Sequence, residues 1–225
     1  MVMHLEAVRA RVAQAAERAR RDPAGVGIVA VTKGHPLAAV REAAAAGLLD
    51  IGENRVQEAL EKQEAWPDAP VRWHLIGHLQ SNKARRAVGR FALVHSLDSA
   101  HLADELEKAA AAAGVVQEVL VQVNVAREPQ KTGVAPEQAD ELVQYVRSKP
   151  HLRLQGLMTM APLTDDVVVI RTTFRGLREL RDLLTTPDSR LPTVSMGMSS
   201  DFEIAIEEGA TLLRLGTVLF GEREP

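Results

Sequence analysis

The chain is predicted to be α/β, a single (β/α)8 TIM barrel with an extra N-terminal helix, and three observations carry that expectation. Eight short apolar stretches recur along the 225 residues. Each is separated from the next by a helix-forming stretch, with no linker or low-complexity tract between them. Strict alternation of this kind gives parallel strands joined by right-handed crossovers, and eight such units close a barrel. The competing architecture, a doubly wound open sheet, would place a glycine fingerprint after the first strand, whereas Gly25 and Gly27 precede it.

Leu5, Val8, Val12, Ala15 and Ala19 recur at helical spacing, so residues 4–21 read as an amphipathic helix that Asp22-Pro23 and Gly25 end. Ile28 to Val31 is the first strand, and it runs into Thr32-Lys33 before Gly34-His35-Pro36 stops it. A helix over 37–46 closes at Gly47, a short strand over 48–51 follows, and a helix spans 55–65 up to Trp66-Pro67. Strand three covers 71–76, with a helix over 81–88. Strand four covers 91–95, with a helix over 99–113 ended by Gly114. The fifth and longest strand is expected within 115–125, followed by a polar loop and a helix over 136–148. Strand six covers 152–157, and Val167, Ile170, Phe174, Leu177, Leu180 and Leu184 mark a long amphipathic helix. Strand seven (193–196), a helix (201–208) and strand eight (211–215) complete the count. Little chain follows Phe220, so the eighth outer helix is expected to be vestigial and the N-terminal helix to cover the gap.

Composition bounds the function. The hydrophobic fraction is 46% and the charged fraction 25%, as in an ordinary globule with one sizeable core. A net charge of -3 offers no global attraction for nucleic acid or anionic membrane, and no apolar run reaches the length of a membrane span. There is no cysteine, which excludes disulfides and thiolate catalysis and fits a cytoplasmic protein.

In a barrel, function gathers at the C-terminal ends of the strands. Of the six lysines, only Lys33 ends a strand, with Lys131 on a top-face loop as a second amine. A desolvated amine there has a lowered pKa and can attack a carbonyl carbon, although a strand-end lysine can equally reach out to solvent. The loops after strands seven and eight carry Gly197-Met198-Ser199-Ser200 and Gly216-Thr217, where barrels bind phosphate. Gly197 would let backbone approach a ligand, and Ser200 with Glu203 also fits a capping box. Arg214 alternates with Leu213 and Leu215, which turns it toward the barrel interior. A charge there needs a partner, either a pyridine ring nitrogen or an internal glutamate. His74 and His78 have the spacing of a helical metal pair, but they lie on a strand interrupted by Gly77, so no metal is expected. Lys83, Arg85, Arg86 and Arg90 read as a solvated helix face, and Tyr145 as a packing residue.

Taken together, these residues resemble a known family. The segments Val29-Ala30-Val31-Thr32-Lys33, Ile51-Gly52-Glu53-Asn54, Trp73 through Lys83, Ser195 through Ser199 and Arg214 through Thr217 are similar to the pyridoxal-phosphate homeostasis proteins over nearly the whole chain. The resemblance implies a barrel like the N-terminal domain of fold type III alanine racemase. It implies pyridoxal 5′-phosphate held as a Schiff base on Lys33, with phosphate gripped near Met198, Ser199, Ser200, Gly216 and Thr217. Arg214 would face the ring nitrogen and Asn54 would lie in the pocket. The loop 126–131 departs from the family's usual glycine- and serine-containing segment.

A racemase needs a second acid/base on the opposite face of the cofactor, and this chain has one tyrosine, far from the proposed site in sequence. An arginine at the ring nitrogen also weakens the electron sink. The expectation is therefore a monomeric carrier and regulator in vitamin B6 and amino-acid homeostasis, delivering cofactor to apo-enzymes. A minor amino-acid racemase, a Schiff-base aldolase acting on a sugar phosphate, and a basic-face binding module are the alternatives.

Overall fold

The architecture is set by parallel pairing around a closed ring. The structure, a computed structural model, describes residues 2–222. Its strands are β1 (Gly27–Val31), β2 (Asp50–Glu53), β3 (Arg72–Leu75), β4 (Leu93–Leu97), β5 (Gln117–Gln122), β6 (Leu152–Met158), β7 (Thr193–Ser195) and β8 (Leu212–Leu215). They are hydrogen-bonded in sequence order, and β8 returns to β1 with Val29 opposite Arg214 and Ala30 opposite Leu215. The barrel expectation is met, and the open sheet is set aside.

The helices are α1 (Val2–Arg18), α2 (Leu37–Ala45), α3 (Val56–Ala65), α4 (Ala84–Ala87), α5 (Ala100–Ala113), α6 (Ala139–Arg147), α7 (Val167–Leu184), α8 (Phe202–Glu207) and α9 (Thr217–Phe220). Side chains alternate along each strand. Ala30, Ile51, Leu75, Val119, Val121, Val194, Leu213 and Leu215 pack outward, where they join the large core beneath the helices. Leu93, Leu120 and Met158 form a separate small cluster flanked by Met160 and Leu212, consistent with the inward-facing positions. As expected, α9 is a single turn, and α1 packs against α8 and α9 to cover the gap.

Local signals explain most boundaries. Ser99 caps α5 by accepting from the Leu102 amide, and Gly114 ends that helix in the left-handed region at φ 65°. Asp166 accepts from Val168 and Val169 at the start of α7. Four expectations need correction. The second strand lies two residues later than 48–51, because Gly47 and Leu48 still close α2, with the Leu48 amide donating to the Ala43 carbonyl at 2.9 Å. The fourth strand lies two residues later than 91–95, because Phe91 packs into the helix layer and its carbonyl is satisfied by the Gln117 side chain instead of a strand neighbour. The longest strand is β6, since β5 stops at Gln122, where the chain turns toward the 126–131 loop. The Ser200–Glu203 capping box does not form: Asp201 is the N-cap of α8, and its carboxylate accepts from the Met198 amide at 2.6 Å.

Candidate functional site

Period-two alternation carries one step past β1. Val31 and Lys33 turn to the barrel mouth, while Thr32 between them turns outward and is fully buried. Thr32 is pinned from two directions. Its hydroxyl donates to Glu53 Oε1, and its carbonyl accepts from Lys62 Nζ at 2.8 Å. Lys62, reaching in from α3, also donates to Glu53 at 2.6 Å and Glu58 at 2.9 Å, and Glu58 accepts from the Gly34 amide at 2.6 Å. The peptide groups on both sides of Lys33 are thus tied to one buried ion-pair cluster. Burial pushes the Glu53 carboxyl up, opposed by Lys62 and Thr32.

Lys33 opens into a cleft of about 720 Å³ at the C-terminal mouth of the barrel. Asn54, Met198, Ser199, Ser200, Arg214, Gly216 and Thr217 line the same cleft, so all eight residues singled out from the sequence share one wall or another of it. Gly77 lines it too, and a Cβ there would stand 2.2 Å from the Asn54 carbonyl oxygen, so only glycine lets β3 and the chain after β2 approach this closely. Two loops form the donor-rich end. Ser199 Oγ accepts from Gly216 N at 3.3 Å and Val218 N at 3.2 Å, which locks the loop after β7 to the loop after β8. Among the described residues, the amides of Ser199, Ser200 and Thr217 meet no protein acceptor. Gly197 serves differently from the sequence expectation. It is not part of the cleft lining, and at φ 92° a Cβ would sit 2.6 Å from the Ala205 methyl, so it admits α8 against the barrel.

Arg214 is fully buried at the cleft floor. It donates through Nη1 to Ser195 Oγ at 2.7 Å and through Nη2 to the Thr159 carbonyl at 2.9 Å. Burial pushes its guanidinium down to about 10, with Asp201 opposing, so it stays charged at neutral pH. The glutamate partner considered from sequence is absent among its described contacts; neutral oxygens hold it instead. Behind Ser195 lie His95 and His74, both buried in the barrel interior.

Other sequence candidates fall elsewhere. His74 faces inward to His95, whereas His78 sits at the cleft rim 3.6 Å from Asp98, so the pair is split as Gly77 suggested. Lys131 donates to the Ala161 carbonyl at 2.7 Å and pairs with Glu128 at 2.5 Å. Tyr145 packs against the core from α6, and its hydroxyl donates to Asp104, away from the cleft. Lys62 and His95 escaped sequence reading. The available signals were the Glu58–Lys62 spacing of four on a helix and Glu53, an acid at the end of a buried strand that demands a cation.

Comparison with known proteins places this architecture. The family model of the alanine racemase N-terminal domain matches residues 3–224. A pyridoxal phosphate homeostasis protein of Aquifex aeolicus is 47% identical over 221 residues, covering 98% of this chain and 97% of the relative. One from Pseudomonas aeruginosa is 48% identical over 96% of this chain and 93% of the relative. The structure of PipY from Synechococcus elongatus with PLP bound superposes with a TM-score of 0.81 at 40% identity, covering 93% of this chain and all (100%) of that one. A Clostridium difficile alanine racemase shares the fold alone, with a TM-score of 0.78 at 14% identity over 56% of its length. The chain therefore belongs to the pyridoxal phosphate homeostasis protein family, whose barrel is that of the alanine racemase N-terminal domain.

Proposed function

We propose that this protein holds pyridoxal 5′-phosphate covalently on the Lys33 amine and acts as a cytoplasmic carrier and regulator of that cofactor in vitamin B6 and amino-acid balance, with no reaction of its own. The observation that carries the reading is the cleft in which a strand-end lysine, two adjoining donor-rich turns and a buried arginine converge. The residues fit the group. Its volume lies in the range of small-molecule sites, and the amides of Ser199, Ser200 and Thr217 suit a phosphate dianion. Arg214 can donate to a ring nitrogen, and as a permanent cation it disfavours protonation there. Asn54 and Met198 would line the remaining walls. When bound, the cofactor supplies an aldehyde that condenses with a primary amine. The chain supplies the amine, holds its backbone through the Lys62 cluster, and fixes the phosphate end through the Ser199 bridge.

The carrier reading over the racemase reading rests on what faces the cleft. A racemase needs a second acid/base; the only tyrosine is engaged with Asp104 on the outer helix layer, and the imidazole at the cleft, His78, sits at its rim 3.6 Å from Asp98. Relatives named as homeostasis proteins support this reading. The test is to load the protein with pyridoxal phosphate and measure two quantities: conversion of L- to D-amino acids by chiral chromatography, and reactivation of a pyridoxal-phosphate-dependent apo-enzyme. Transfer to the apo-enzyme without sustained amino-acid turnover is expected. Steady multiple turnover would replace the carrier reading with an enzymatic one.

A further inference from the structure

Four hydrogen bonds run in series through the barrel interior. Asp50 Oδ1 lies 3.0 Å from His74 Nε2, His74 Nδ1 lies 3.0 Å from His95 Nε2, and His95 Nδ1 lies 3.0 Å from Ser195 Oγ. Ser195 then accepts from Arg214 Nη1 at 2.7 Å. The carboxylate end and the number of protons on the two rings set the direction of the middle. An arginine can only donate and an ionised carboxylate can only accept. With Asp50 accepting and both rings neutral, His74 Nε2 donates to Asp50, His95 Nε2 to His74 Nδ1, and Ser195 to His95 Nδ1. In that arrangement each ring carries its proton on Nε2, and every ring nitrogen of the relay has a partner.

One added proton reverses the central bonds. With both nitrogens of His74 protonated, His74 donates to Asp50 and to His95 Nε2. The His95 proton must then reside on Nδ1 and point at Ser195, whose hydroxyl hydrogen turns away. One proton is gained and none is lost. The charge rests beside Asp50, since His95 lies between His74 and Arg214, and burial together with those two cations disfavours a charge on its ring.

We propose that Asp50, His74, His95 and Ser195 form a relay that positions Arg214 for the cleft ligand and couples proton uptake at the base of the barrel to the cleft floor. These four are positioning residues, acting through Arg214. The charged and titratable groups facing the relay are Arg72 on β3, which clasps Asp50 at 2.6 Å, Arg214 on β8, and Asp201 at the start of α8, which acts electrostatically on Arg214. The relay itself stands on geometry; its coupling to a ligand rests on the cofactor reading given above.

Nitrogen-15 spectra of the histidine rings in the unliganded protein test the relay directly. At mildly alkaline pH both His74 and His95 are expected as Nε2–H tautomers. On acidification His95 should switch to Nδ1–H with the same midpoint at which His74 gains its proton. A His95 that keeps one tautomer through that transition, or starts as Nδ1–H, overturns the proposal. In the second arm pyridoxal phosphate is added and its visible band is followed with pH. A band shift that shares the His74 midpoint, moves to lower pH in Asp50→Asn, disappears in Ser195→Ala and returns in Ser195→Thr is expected. A band shift indifferent to Asp50→Asn in a protein that binds the cofactor overturns the coupling. If no cofactor is taken up, the cofactor reading fails, and the ring spectra still decide the relay.

Discussion

Replacing Lys62 by methionine probes the cluster that holds the Lys33 backbone. The substitution keeps the length and apolar stem of the side chain but removes an ammonium that contacts Glu53 at 2.6 Å, Glu58 at 2.9 Å and the Thr32 carbonyl at 2.8 Å. The Glu53 side chain has no solvent exposure, and its second oxygen has no partner among the described residues. Removing one member of a buried pair strands the other, at a cost of about 3–5 kcal/mol. The Glu58 pair is more exposed and contributes less than about 1 kcal/mol. The loss is therefore a large share of the ~5–15 kcal/mol that holds a typical domain together. Urea unfolding at constant slope is the assay. Adding Glu53→Gln removes the stranded charge and should restore at least about 1 kcal/mol. The pH dependence has a defined sign. A carboxyl raised in the folded state stabilises below its unfolded value and loses that contribution as pH rises through the folded one. Removing Lys62 raises Glu53 further, so the deficit should be smallest near about pH 4 and grow toward neutrality. A loss under about 1 kcal/mol, or a double variant no better than the single, would show that Lys62 does not compensate a buried Glu53 charge.

Three further outcomes follow from particular contacts. Gly77→Ala drives a Cβ into the Asn54 backbone and should destabilise by roughly 1–3 kcal/mol while lowering cofactor uptake; thermal unfolding and binding titration check it. Ser199→Ala frees the Gly216 and Val218 amides, and the preference for pyridoxal phosphate over pyridoxal should fall about 5- to 10-fold in competitive titration, the equivalent of one hydrogen bond. Burial opposes ionisation of Asp50, but the His74 and Arg72 hydrogen bonds outweigh it and hold its carboxyl well below the usual range. A lowered carboxyl contributes stability above its unfolded value that is lost as pH falls, so Asp50→Asn should flatten the fall in melting temperature below about pH 4.

The barrel was legible because strand and helix periods alternate eight times; the end of the first strand marked Lys33 for the mouth, and side-chain alternation turned Arg214 toward the interior. What stayed hidden depends on pairs distant in sequence. Lys62 reads as a solvated helix lysine until Thr32 and Glu53, on other elements, surround it. Spacing separated His74 from His78 but named no partner for it; that partner is His95, across the β3–β4 pair. Gly197 was legible as a special glycine but not for its reason, because the crowding atom belongs to Ala205 on α8. Within β4 the register shifts between Val94 and Leu97, which puts both residues in the outer core at a spacing no simple alternation anticipates.

The central claim is that Lys33 anchors the cofactor. Its most direct measurement is borohydride reduction of the protein after addition of pyridoxal phosphate, followed by mass mapping of the modified peptide. Reduction should abolish the visible band and leave a single phosphopyridoxyl adduct on Lys33, absent in Lys33→Ala. A protein that takes up no cofactor, or an adduct confined to another lysine while Lys33 stays unmodified, would contradict it.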